Sequence, residues 1–209
     1  MTRSIILDFD GVILESVNVK TKAFSTLFSD HPEHQQTIVD FHLKNGGMSR
    51  FDKFRIIYKD ILKKPLSEDH FSYLCNRFEE LVFNEVLKCD FVYGALEFLE
   101  QYKERLLLFV ASATPHDEIN RIVDTMGLRK YFKAVYGSPL PKNEAIEKIV
   151  SDFHLNKEDL FFVGDALNDM QAAQKANVNF IARDSGSCGA WSNGLTIIKD
   201  LTELSRHIT

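Results

Sequence analysis

The sequence predicts an α/β protein: a doubly wound, Rossmann-like parallel sheet interrupted by an all-helical insert. Short apolar runs without polar alternation recur along the chain, as expected of strands buried on both faces of a parallel sheet. Helical patterns separate the later runs, which is the signature of right-handed βαβ units. Residues 15–88, by contrast, carry helical stripes and no convincing strand.

The first run is "SIIL" (4–7), which passes directly into Asp8, Asp10 and Gly11 before the chain turns apolar again at Val12-Ile13-Leu14. The insert follows, read as four helices. Val19, Ala23, Phe24, Leu27 and Phe28 form one apolar stripe, Phe51, Phe54, Tyr58 and Ile61 a second, and Phe71, Leu74, Phe78, Leu81 and Val82 a third. Such stripes are read as packing within a helical bundle. The remaining strand runs are "LLLFVA" (106–111), "KAVYG" (133–137), "LFFVG" (160–164) and "VNFIA" (178–182). Between them, residues 115–126 place Pro115 at the first helical position, acids in the first turn and Gly127 as a stop. Residues 141–153 repeat the design with Pro141, and "DSGSCGAWSNG" (184–194) reads as a loop.

The chain has 209 residues, 44% of them hydrophobic, enough for one large domain or a core carrying a smaller insert. A net charge of −5 excludes a nucleic-acid backbone binder, which needs a surplus of Lys and Arg. No apolar run is long enough to span a bilayer, and the first acid arrives before any signal-peptide core, so a cytoplasmic protein without a membrane partner is expected. Cys75, Cys89 and Cys188 show no metal-binding or paired spacing and are read as free thiols.

In open α/β sheets, ligands bind beyond the carboxyl ends of the strands. Four of the five predicted strands have a reactive residue there: Asp8 and Asp10, Ser112, Lys142, and Asp165 with Asp169 nearby. Each has a plain structural alternative. Asp8-Phe9-Asp10-Gly11 suits a turn, Ser112 and Thr114 suit helix capping with Thr114 the better cap, Lys142 suits the surface, and Asp165 and Asp169 suit a helix dipole. Together they make the alternatives improbable, because several carboxylates at one sheet edge repel unless a cation lies among them, and an all-oxygen site with room for water favours magnesium. Lys142, Ser112 and helix N-terminal amides would suit an incoming dianion. The chemistry implied is phosphoryl transfer.

The set "DFDGV" (8–12), Ser112 in "FVASAT", Lys142 in "GSPLPK" and "GDALND" (164–169) resembles the four ordered motifs of the haloacid dehalogenase-like hydrolase superfamily. The resemblance implies a core domain of residues 1–14 and 89–209 with a small helical cap domain over 15–88. It implies Asp8 as the nucleophile that takes the phosphoryl group, and Asp10 as the acid that protonates the leaving alcohol and then deprotonates water. Mg²⁺ would be held by Asp8, the Asp10 backbone carbonyl and Asp165, with Asp169 a ligand or a support. Gly11, Ser112, Ala113 and Lys142 would contact the phosphoryl group. The substrate would be a small phosphorylated metabolite, and the protein a monomer or homodimer.

Asp10 argues against a dehalogenase, since a halide leaving group needs no proton. The segment "GGMSRFDKF" (46–54) is similar to the cap segment of β-phosphoglucomutase-like members, with Arg50 in the place of an arginine that binds a second phosphate. Lys20 stands where those mutases carry a histidine, however, and Gly164 where they carry an acidic residue. The expectation is therefore a phosphatase acting on a sugar phosphate or a phosphoglycolate-like metabolite, with Arg50, Lys20 and Lys53 as candidates for reading the substrate or as a solvated basic face. The alternatives are a mutase and a non-catalytic binding protein that retains the fold.

Overall fold

The structure is a computed structural model and describes residues 3–186, 191 and 194–208. Its centre is a six-stranded parallel sheet of β1 (Ser4–Leu7), β2 (Leu107–Pro115), β3 (Ala134–Ser138), β4 (Leu160–Gly164), β5 (Asn179–Arg183) and β6 (Thr196–Ile198). The spatial order is β3-β2-β1-β4-β5-β6, so β1 is interior and pairs with β2 on one side and β4 on the other. That position explains why "SIIL" lacks alternation: all of it is buried, with Ile5 and Leu7 on one face of the sheet and Ile6 on the other. Behind Ile6 lie α7 (Lys142–Asp152) and α8 (Leu167–Ala176), which contribute Ile146, Ile149 and Ala173. On the Ile5 and Leu7 face, α5 (Ala95–Tyr102) and α6 (His116–Thr125) contribute Phe98, Leu99, Ile119 and Val123.

Three details differ from the sequence expectation. The short strand β6 adds a sixth member beside β5. Strand β2 continues past Ala111 to Pro115 through a register shift against β3, carrying Ser112, Ala113 and Thr114 within the strand. Pro115 and Pro141 accordingly cap their helices from outside, with His116 and Lys142 the first helical residues. The loop expected over 184–194 and the thiol of Cys188 fall largely or wholly outside the described residues, while Cys75 and Cys89 are free. No helix among the described residues is long and apolar enough to cross a membrane.

After Leu14 the chain leaves the sheet for α1 (Val17–Leu27), α2 (Gln35–Lys44), α3 (Arg50–Ile56) with a π-helical turn over Ile57–Ile61, and α4 (Glu68–Val86). The serines Ser49 and Ser67 start α3 and α4 by accepting the backbone N–H of Asp52 and His70. The predicted stripes meet: the Phe24 ring lies 4.9 Å from Phe78 and 5.6 Å from Phe54. The outgoing and returning segments are stitched together by Glu15 N–H to the Asp90 carbonyl (3.0 Å) and Val92 N–H to the Ile13 carbonyl (2.9 Å). Arg183, at the end of β5, donates to the Gly11 carbonyl and to both oxygens of Glu15, fixing the start of that connection to the sheet.

Candidate active site

The carboxyl ends of β1, β2 and β4 and the first turn of α7 bring the sequence-predicted residues together. Asp8 directly follows β1 and is buried; its Oδ1 accepts the Phe9 N–H at 2.7 Å and its Oδ2 lies 2.8 Å from Lys142 Nζ. Lys142 also donates to Asp169 Oδ1 at 2.5 Å, and the other Asp169 oxygen accepts the Ala166 N–H at 3.2 Å. Asp8, Asp165 and Asp169 are all buried, and one oxygen from each lies within 4.8 Å of the others.

Electrostatics sort these groups. Burial pushes the Asp8 carboxyl up to about 7, against the Lys142 ammonium and with help from Asp169 and Asp10. Burial, then the Asp8 charge, pushes Asp165 up to about 6, although a hydrogen bond with Ser185 works the other way. Burial works against the Lys142 ammonium, but Asp169 and Asp8 together raise its pKa. This is a hard-oxygen cluster short of positive charge, and the donor set suits Mg²⁺.

Asp10 is the exception among the acids. Burial alone would raise it, but Lys20 holds its carboxyl below the usual range, aided by Ser16 and Thr114. Lys20 Nζ lies 2.5 Å from Asp10 Oδ2, Ser16 Oγ donates to Oδ1 at 2.6 Å, and Thr114 Oγ1 donates to Oδ2 at 3.1 Å. Thr114 is therefore not the helix cap the sequence suggested. Strand β2 runs on through it, and its hydroxyl also accepts from Lys20 at 2.7 Å.

Two glycines let the loops close this tightly. Gly11 has φ +76°, and a Cβ there would strike the Asp165 carboxylate. A Cβ on Gly164 would collide with Asp169, so an acidic side chain cannot be added at 164 without moving the residue that holds Lys142.

A cavity of about 60 Å³ lies between the sheet edge and the helical segment, lined by Asp8, Asp10, Ala113, Thr114 and Asp165 from below and by Lys20, His42, Arg50 and Lys53 from above. Ser112 does not line it: its Oγ accepts the Thr114 N–H at 3.1 Å, and it faces a neighbouring depression with Ala113 and Lys142. Arg50 and Lys53 are not a solvated face, being only 6% and 2% exposed. Arg50 binds both oxygens of Glu118 at 2.7 Å and sits 4.5 Å from the centre of the Phe78 ring. Lys53 Nζ meets His42 Nδ1 at 3.0 Å. Gly47 of the loop before α3 is pressed so close to the "GDALND" segment that a Cβ would lie 2.9 Å from Asn168 and 3.0 Å from Asp169. Sequence reasoning missed Ser16, His42, Thr114 and Glu118. Glu118 offered only the look of an acid in a helix first turn, and His42 and Ser16 carried no signal.

A family profile described as haloacid dehalogenase-like hydrolase matches residues 5–183. No curated protein sequence matches the chain. Among solved structures, a predicted phosphoglycolate phosphatase from Haemophilus somnus is similar with a TM-score of 0.76 at 18% identity, covering 100% of this chain and 98% of its own. CbbY from Rhodobacter sphaeroides, solved in complex with phosphate, gives 0.77 at 15% identity over 98% of this chain and 96% of its own. Bacillus subtilis YfnB, bound to magnesium, gives 0.70 at 18% identity over 99% and 98%. At these identities the likeness is one of fold.

Proposed function

Because the chain belongs to the haloacid dehalogenase-like hydrolase family, we propose that it is a Mg²⁺-dependent phosphatase of small phosphomonoesters working through an aspartyl-phosphate, with residues 15–88 as its cap. The observation that carries this reading is the buried meeting of Asp8, Lys142, Asp165 and Asp169 under a cavity that Asp10 also faces. In the first half-reaction an Asp8 oxygen forms a bond to phosphorus while the ester P–O bond breaks and the leaving oxygen takes a proton from Asp10. In the second, Asp10 takes a proton from water as that water attacks the aspartyl-phosphate, releasing inorganic phosphate and restoring Asp8. Lys20 holds Asp10 ionised in the resting site, so Asp10 takes up a proton before it acts as the acid.

Asp8, Asp165 and the Asp10 carbonyl would hold Mg²⁺, and both oxygens of Asp169 are already engaged, which favours Asp169 as the support of Lys142. When bound, the cation would neutralise the phosphoryl oxygens and the two carboxylates. Lys142, Ser112 and the Ala113 backbone would bind the transferring oxygens. The Gly164 contact with Asp169 favours a phosphatase over a mutase, since it leaves no space for a further acid.

The test is phosphate release from a panel of small phosphomonoesters with Mg²⁺ and with EDTA. Asp8→Asn is expected to lower turnover by at least about 10³-fold, by analogy with removal of other covalent nucleophiles. Turnover that survives both EDTA and Asp8→Asn would defeat the reading.

A further inference from the structure

A second depression, of about 550 Å³, lies on the helical segment and shares no lining residue with the cavity of the candidate active site. Its rim carries Arg55, Lys59, Lys63 and Lys64, all exposed, and its floor Leu66 and Phe71. Glu68 is the acid among the lining residues, so four cations less one carboxylate leave a net charge of +3 in a chain whose overall charge is −5. Arg55, Lys59 and Lys63 follow one another at intervals of four residues, a spacing at which like charges repel. Exposed cations elsewhere do reach carboxylates: Arg121 meets Glu79 at 2.7 Å and Lys148 meets Asp152 at 2.9 Å. Arg55, Lys59, Lys63 and Lys64 form no ion pair among the described residues.

Two of the four are held in place before any ligand arrives. The Arg55 guanidinium lies 4.4 Å from the centre of the Phe71 ring. Lys63 has a left-handed φ of +54°, between Leu62, whose N–H donates to the Ile57 carbonyl at 2.8 Å, and Lys64, whose N–H donates to the Tyr58 carbonyl at 2.9 Å. Glycine is the usual residue at such a helix end. The plain structural reason for lysines there is the helix dipole, but its C-terminal end is worth only about half a negative charge and does not balance +3. Arg55, moreover, precedes the π-helical turn and lies more than a turn from that end.

We propose that this depression binds a soluble organic ester carrying two adjacent phosphate groups. Two phosphates bring about −3 to −4 at pH 7, from about −1.5 to −2 each, which matches the charge of the rim. Arg55 offers a planar fork to a pair of phosphate oxygens, the lysines act as point charges, and Leu66 and Phe71 give the carbon skeleton an apolar surface. The volume falls within the range of about 300–1,000 Å³ usual for small-molecule sites, whereas the cavity of about 60 Å³ at the sheet edge is too small for such a ligand. The site stands on the helical segment alone and does not depend on the phosphatase reading.

Titration calorimetry of the full chain tests it, in EDTA so that no divalent cation occupies the candidate active site, with inorganic phosphate, inorganic pyrophosphate and ADP as probes. Pyrophosphate is expected to bind at least about 10-fold more tightly than phosphate, the worth of one further hydrogen bond between charged groups, and ADP at least as tightly as pyrophosphate. Both affinities should fall as salt is raised. Lys63→Gly, which suits the left-handed backbone and so preserves the fold, and Lys59→Gln are each expected to weaken pyrophosphate and ADP by about 10-fold or more. Affinities that both variants retain would place the ligand elsewhere and overturn the proposal, as would equal affinity for phosphate and pyrophosphate, or no binding of either pyrophosphate or ADP. Phosphatidylcholine vesicles carrying a phosphatidylinositol bisphosphate report the other source of paired phosphates. Retention of the protein on them, lost in the variants and without binding of the free probes, would assign the depression to a lipid headgroup and overturn a soluble ligand.

Discussion

Asp8 and Asp165 hold protons that the unfolded chain would have lost. With folded values near 7 and 6 against an ordinary 3.8, the folded protein binds more protons than the unfolded one between about pH 4 and pH 7. The stabilisation from the neutral carboxyls is therefore complete below about pH 4 and is lost as the pH rises through 6 and 7. A cation in the cluster must displace those protons, so Mg²⁺ affinity is expected to climb between pH 5.5 and about 7 and to level off above it. Thermal unfolding with and without Mg²⁺ checks this. The rise in Tm should be clearly larger at pH 8 than at pH 5.5, and an equal rise at both would mean that these acids are not the metal site. Asp8, Asp10, Ser112, Lys142 and Asp165 were legible because each follows or starts an element whose own pattern is strong. Thr114 and Glu118 were not, because a hydroxyl after a strand and an acid in a helix first turn have common local uses, and only the tertiary pairing with Asp10 or Arg50 shows another.

At the level of elements, α3 is fastened to α6 by the Arg50–Glu118 pair, whose side chains are 5% and 3% exposed. Removing one partner of such a pair strands a buried charge. Arg50→Met alone is expected to cost about 3–5 kcal/mol in urea unfolding, and the Arg50→Met, Glu118→Met double variant to recover most of it. Losses that simply add would show that the two side chains are not coupled. The elements themselves were read from sequence with uneven success. The runs and stripes matched β1, β3, β4, β5 and the insert helices α1, α3 and α4, because apolar period is a local property, while α2 entered only in the count of four helices. Strand β6 escaped: it has only three residues, too few to carry a period, and exists because it can lie beside β5. Strand β2 ran longer than its apolar run because Ser112 and Thr114 remain buried at the site rather than turning to solvent.

Across the whole molecule, one apolar cluster runs from Ile5 and Leu7 of the sheet through Val12, Ile13 and Leu14 to Phe24, Phe54 and Phe78 of the insert. The helical segment thus shares its core with one face of the sheet. Heat unfolding is expected to give a single transition with equal calorimetric and van't Hoff enthalpies, and two resolved transitions would show that the insert melts on its own. The interior place of β1 also has a consequence for synthesis on the ribosome. Its partners begin at Leu107 and Leu160, about a hundred and about a hundred and fifty residues downstream. At roughly 5–20 residues per second, the strand that ends in Asp8 waits on the order of 5–20 s for its first neighbour. During that interval only the intervening helices can form, and the apolar "SIIL" edge is open to other chains. Asp8, the proposed nucleophile, is thus attached to the segment of the nascent protein that most needs shielding until its neighbours arrive.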